Sequence, residues 1–169
     1  MIYLFTTSKR IGAKLIRWGT GSSISHMAIS ASKNLDSLVV QSNLSKGVHE
    51  TTLAKFLEHY EMVIAFETSG ELPSRFFEVR KMVGKHYDWK GIGYYAIAVL
   101  WFKKILRRKL PFKNKWADKN DFYCSELVYS NESFLRSLEV DLDRYGKQML
   151  SPDRAAEILG EVFKEVKVN

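Results

Sequence analysis

A thiol, an imidazole and an amide are the side chains of this sequence most suited to act together. Cys124, the chain's one cysteine, lies in Phe122-Tyr123-Cys124-Ser125-Glu126-Leu127-Val128, where apolar residues begin to recur at helical spacing. A thiol at a helix start sits beside unsatisfied backbone N–H groups and the positive end of the helix dipole, which favour the nucleophilic thiolate. The Cys124 N–H would then serve as one oxyanion donor once a carbonyl is attacked. The plainer role for a lone cysteine is that of a small buried hydrophobe, and only a partner base distinguishes the two.

The candidate base is His26, in Ser25-His26-Met27-Ala28-Ile29. On a strand, His26, Ala28 and Ser30 share one face and Met27, Ile29 and Ala31 the other. His26 opens that strand beside a Gly/Ser loop, where an imidazole can reach a cleft. If the strand packs against the Cys124 helix, His26 can take the thiol proton, and a third group must then hold the ring. Gln41, on the next strand candidate with Val39 and Asn43, can accept from the ring N–H, or can be an ordinary polar residue of an edge strand. Being neutral, it would orient the ring while stabilising an imidazolium less than a carboxylate would.

Other motifs fail on spacing. His49-Glu50 opens like a zincin HExxH, but position 53 is Leu. Gly19-Thr20-Gly21-Ser22-Ser23 lacks the Lys-Ser/Thr ending of a phosphate-binding loop, and there is no G-x-S-x-G elbow. His59 and His86 have no further ligands nearby. One cysteine supplies neither a disulfide nor a Cys-rich zinc site, so no metal or cofactor is expected.

The elements that must position these residues follow from periodicity. Strands are expected at 2–6, 25–31, 38–43, 62–66 and 162–168. Helices are expected at 8–18, at 53–60 behind a Thr51 or Thr52 cap, at 74–83 ending at Gly84, and at 90–108. Another should begin near Cys124, with Leu127, Val128, Phe134, Leu135 and Leu138 inward, and a last one at Ser151-Pro152-Asp153 with Ser as cap. The expected class is α+β: strands 25–31 and 38–43 joined by the turn Ser32-Lys33-Asn34, with helices around the sheet. No repeat or long linker divides the 169 residues, so one domain spanning 1–169 is expected.

The net charge of +7 is concentrated in one place. Between Trp101 and Trp116 there are seven basic residues and no acidic one. Lys103, Lys104, Arg107 and Arg108 recur at i, i+1, i+4, i+5, which places them along one side of a helix. Such a run is either a solvated face or an attraction to anionic lipid or nucleic acid, and lipid is the favoured partner of the two. The longest apolar run, Ile92 to Phe102, is about half of the ~20 residues that span a bilayer. The N-terminus lacks a basic n-region and a cleavage site. These features, with a free thiol, point to a cytoplasmic protein made without a Sec signal. Release would then be by lysis, by a phage particle or by a non-Sec route.

In the order Ser-His-Met-Ala-Ile, Gln41, Tyr87-Asp88-Trp89-Lys90-Gly91-Ile92, Tyr-Cys-Ser-Glu-Leu-Val and Ser151-Pro152-Asp153, the sequence resembles the permuted NlpC/P60 papain-like cysteine hydrolases. These include the YiiX/YebB-like group and their lecithin retinol acyltransferase-like relatives. The resemblance covers roughly residues 1–160. It implies a permuted papain-like fold, a central antiparallel sheet packed against helices, with the nucleophile at a helix N-terminus. It also implies Cys124 as nucleophile, His26 as base and Gln41 as the orienting residue, acting without a cofactor on an amide or ester carbonyl. Bacterial cell-wall peptides come first among implied substrates and lipid acyl esters second, for a peptidase, amidase or thiol acyltransferase. Tyr87 and Tyr123 are the candidates for the second oxyanion donor. The basic insert at 101–116 departs from the plainest members. The alternative is a binding module that uses this insert, with an incidental Cys–His site.

Overall fold

The computed structural model describes residues 1–68, 73–107, 124–142, 144 and 150–168. Its frame is a six-stranded antiparallel sheet in the order β4-β3-β2-β1-β5-β6. The strands are β1 (Ile2–Thr7), β2 (His26–Ser30), β3 (Leu38–Asn43), β4 (Gly47–Thr52), β5 (Glu61–Glu67) and β6 (Lys164–Glu165). The central strand β1 is an unbroken apolar run because both of its faces are covered.

One face of the sheet carries Tyr3, Phe5, Met27, Ile29 and Val40, packed with Leu127, Val128, Leu135 and Leu159. The other carries Ile2, Leu4, Ala28 and Val39 beneath Leu53 and Phe56. The period-two alternation of β2 thus divides its side chains between two cores. Burial of this apolar surface is the main force holding the layers together.

The helices around the sheet are α1 (Ile11–Thr20), α2 (Leu53–Leu57), α3 (Pro73–Arg80), α4 (Trp89–Ala98), α5 (Glu132–Ser137) and α6 (Pro152–Gly160). Helix α4 runs into a π-helical stretch, Val99–Ile105, and α5 is preceded by a 3₁₀ helix, Cys124–Asn131. Two hydrogen bonds tie the 3₁₀ helix to the chain that follows it. Ser125 Oγ donates to the Leu150 carbonyl, and the Tyr129 hydroxyl donates to the Leu142 carbonyl at 2.8 Å.

Several expectations are corrected. Strand β4 was not anticipated, because Gly47-Val48-His49-Glu50-Thr51-Thr52 is a polar edge strand without clear alternation. The helix expected at 8–18 begins three residues later, at Ile11. The closing strand is only Lys164–Glu165, extended by a Val166 N–H to Ala65 carbonyl bond of 2.9 Å. The helix expected at Cys124 is of the tighter 3₁₀ form, and Leu138 is exposed rather than inward. Thr52 does cap α2, accepting from the Lys55 N–H, whereas Ser151 occupies the cap position of α6 without a side-chain cap bond. Lys103 and Lys104 fall in the π-helical stretch, whose wider turn does not keep i and i+4 on one line. Arg107 has left the helix with φ 51°, so the helix expected to run to 108 ends at Ile105. Arg108, Tyr123 and most of the 101–116 insert lie outside the described residues.

Gly47 positions a loop that leads to the candidate site. It has φ 65°, and a Cβ there would lie 2.3 Å from the Lys85 carbonyl oxygen. The close approach permits two backbone bonds, Val48 N–H to Lys85 carbonyl (2.8 Å) and Gly84 N–H to Val48 carbonyl (2.9 Å). These hold the segment running into Tyr87 and Asp88 against β4. Gly47→Ala should therefore lower stability by about 1–3 kcal/mol, read as a lower urea midpoint; an unchanged midpoint would contradict this role.

Candidate active site

His26 is the first residue of β2 and Gln41 lies on β3, where it pairs with Ala28. Two residues along a strand return to the same face, so His26 and Gln41 meet on the side covered by α2. Their contact is His26 Nε2 to Gln41 Oε1 at 3.0 Å, between two buried side chains. An amide oxygen only accepts, so Nε2 carries the hydrogen and Nδ1 keeps its lone pair. The glutamine thereby selects the tautomer in which Nδ1 is the base.

The ring is also held by stacking. Tyr60 lies on it with centroids 4.5 Å apart and planes at 15°. Phe56 stacks on Tyr60 in turn, at 4.7 Å and 20°. The sequence places Phe56 and Tyr60 within the helix expected at 53–60 and does not single out Tyr60 as a positioning residue. Their i, i+4 spacing is the signal that two rings meet.

Cys124 opens the 3₁₀ helix on the opposite face, within the core that contains Met27 and Ile29. Cys124 nonetheless lines a cleft at the histidine's end of the sheet. The Ala31 N–H donates to the Leu38 carbonyl at 2.9 Å, so in steps of two the N–H groups of Ile29 and Met27 also point toward β3. The β2–β3 ladder ends at the Ala28–Gln41 pair, one residue short of Met27. The backbone N–H groups of Met27, of Ser125 and of Cys124 itself all favour the Cys124 thiolate.

Both residues line one cleft of about 230 Å³, with Tyr60, Tyr87, Ser42 and Arg10 also on its walls. Strand β2 therefore supplies the imidazole by a side chain and, by its next peptide, an N–H that favours the thiolate. A second, polar cavity of about 330 Å³ adjoins it and shares Arg10, Asn43, Ser45 and Tyr60; Gln41 and His49 line it. His49, which the sequence reading set aside for metal binding, pairs with Gln41 across β3 and β4. Its Nδ1–H donates to the Gly47 carbonyl at 3.0 Å. Among the described residues no group of three His, Cys, Asp or Glu side chains could hold a metal ion, and no helix is long and apolar enough to cross a membrane.

Burial governs the protonation of the pair. It pushes the Cys124 thiol up to about 11, against the opposing pull of the three backbone N–H groups. It pushes His26 down to about 4, with the Gln41 hydrogen bond acting in the opposite direction. The resting site at neutral pH therefore holds a thiol and a neutral imidazole. Tyr87 is held well above the usual phenol range, first by burial and then by the neighbouring Cys124. It remains a hydroxyl donor at the cleft wall, which suits it to receive a developing oxyanion.

The depressed His26 value links stability to pH. The unfolded chain takes up this proton below about 6.5, the native state only near about 4, so native stability is intact above 6.5 and falls as pH drops from 6.5 toward 4. The loss approaches 3 kcal/mol at most, an order-of-magnitude figure. Thermal unfolding of wild type should steepen in this window relative to His26→Ala; parallel slopes would contradict the assignment. No protein-family model and no curated protein matches the chain, so the functional reading stands on the geometry of these residues.

Proposed function

We propose that the protein is a cofactor-independent cysteine hydrolase or acyltransferase, with a permuted papain-like, NlpC/P60-like fold. The observation that carries the reading is the buried His26–Gln41 hydrogen bond of 3.0 Å, which leaves Nδ1 basic in a cleft that also holds Cys124. The order of histidine, polar residue and cysteine along the chain agrees with the permuted arrangement.

In this reading His26 Nδ1 takes the proton from Cys124 Sγ as the sulfur attacks an amide or ester carbonyl carbon. The carbonyl oxygen becomes an oxyanion facing the Cys124 N–H and the Tyr87 hydroxyl. Collapse breaks the C–N or C–O bond, and the imidazolium returns its proton to the departing amine or alcohol. Water, deprotonated by the same nitrogen, then cleaves the thioester; another acceptor in its place gives acyl transfer. Gln41 is neutral and keeps the ring oriented through the cycle. Peptide amides, such as those of bacterial cell wall, are the first substrates to try, and lipid acyl esters the second.

The test is intact-mass spectrometry after mixing with p-nitrophenyl butyrate. One butyryl adduct on the Cys124 peptide, absent in Cys124→Ala, is expected. Adducts of equal amount in the Cys124→Ala protein would end the reading.

A further inference from the structure

Helix α1 presents its apolar side away from the core. Ile11, Leu15 and Trp18 are 77%, 62% and 58% exposed, and Gly19 is the only residue of the helix that is buried. An amphipathic helix on a globular domain ordinarily turns such residues inward. Facing it, α4 and the π-helical stretch expose Ile97, Leu100 and Trp101, at 55%, 47% and 54%. Leu15, Ile16 and Trp18 on one side and Ile92, Val99 and Leu100 on the other bound an apolar groove of about 200 Å³. This is a continuous apolar face with two tryptophans at its surface, larger than the scattered hydrophobes of an ordinary exterior.

The charged residues of these helices have one sign. From Met1 to Leu35 and from Trp89 to Arg107 the sequence holds no Asp or Glu, and all 19 acidic residues lie elsewhere. Lys14 is exposed on α1 itself, one residue from Leu15. Arg107 is exposed just beyond the π-helical stretch. Lys9 and Lys33 bridge to Glu61 and Glu67 on β5 and do not count toward this face. Glu61 of β5 is an acidic neighbour of Trp18 and bridges to Lys9. An apolar stripe bearing tryptophans, on helices whose charged residues are all basic, matches the headgroup boundary of an anionic bilayer, where apolar side chains enter the acyl region and cations meet lipid phosphates. An acidic apolar protein partner would need a bounded complementary shape, whereas a bilayer accepts an open ridge of this kind.

We infer that α1 and the α4–π helix form a face that docks on anionic lipid bilayers. Ile16 lines both the apolar groove and the Cys124–His26 cleft, so docking brings the cleft to the membrane surface. The inference does not depend on catalysis and goes beyond the proposed chemistry.

The experiment is co-sedimentation of the full chain with vesicles of phosphatidylcholine alone, or containing roughly one-third phosphatidylglycerol. Wild type should pellet with the anionic vesicles and not the neutral ones, and raising salt to about 0.5 M should release most of it. The Leu15→Glu, Trp18→Glu double variant should bind at least about tenfold more weakly, with an unchanged melting temperature because both side chains are already exposed. Cys124→Ala should bind as wild type does, and the double variant should still be acylated by p-nitrophenyl butyrate, which separates failure here from failure of the hydrolase reading. Equal pelleting of the double variant, or no pelleting of wild type, overturns the inference. A wild-type dimer that the double substitution makes monomeric without lipid would assign the face to a second copy. A lowered melting temperature would assign it to the chain's own residues. Either result also overturns the inference.

Discussion

Cys124→Ala should abolish the burst of p-nitrophenol released from p-nitrophenyl butyrate, a loss of roughly ten-thousandfold or more in acylation rate. The expectation follows from the chemistry: in the proposed cycle every bond made to the acyl group is a bond to this sulfur. Other nucleophiles near the cleft do not substitute for it. The Ser42 and Tyr60 hydroxyls lie on its walls, but neither stands at a helix start as Cys124 does. The substitution removes a small buried side chain, so its cost in stability should be modest and a folded variant is expected by circular dichroism. A folded Cys124→Ala protein with an undiminished burst would place the reaction elsewhere.

The second large effect is expected at His26. With the thiol held up to about 11 by burial, only about one molecule in ten thousand would carry a thiolate at pH 7 without a base. His26→Ala should therefore slow acylation by roughly a thousandfold to ten-thousandfold at neutral pH. This is a larger dependence on the base than a preformed thiolate–imidazolium pair would show, since such a pair holds its nucleophile ready. Gln41→Ala should fall between His26→Ala and wild type, because it removes the acceptor that fixes the tautomer and leaves the ring stacked on Tyr60. Stopped-flow measurement of the burst rate distinguishes these cases. A His26→Ala rate within a factor of a few of wild type would make the imidazole a bystander.

Much of this arrangement was readable from residue order. The alternation of His26, Ala28 and Ser30 against Met27 and Ile29 assigns the two faces of β2 correctly, because a buried strand leaves no freedom in a period of two. Val39, Gln41 and Asn43 likewise place the amide on the histidine's face. The meeting of Cys124 with that strand was not readable in the same way. It depends on where the β2–β3 ladder ends, at Ala28–Gln41, a register detail that no local pattern announces. Strand β4 was missed for a related reason: an edge strand of polar residues is held by pairing with β3 and not by burial of alternate side chains. The apolar periodicity of Ile11, Leu15 and Trp18 marked a helix correctly, but periodicity does not state which way the apolar side faces. Helix α1 turns it outward, and only the tertiary structure could show that. The basic residues after Trp101 illustrate the opposite failure. An i, i+4 reading assumes a regular α-helix, and the π-helical stretch with a left-handed Arg107 removes that assumption.

The central claim is that one sulfur and one imidazole share a proton during attack, and the pH dependence of Cys124 acylation tests it most directly. Wild type should show a rate that is nearly level from about pH 5 to pH 9, since His26 is neutral above about 4 and the thiol is intact below about 11. His26→Ala should instead climb about tenfold per pH unit across the same range, following the thiolate alone. Parallel profiles in the two proteins would contradict the account.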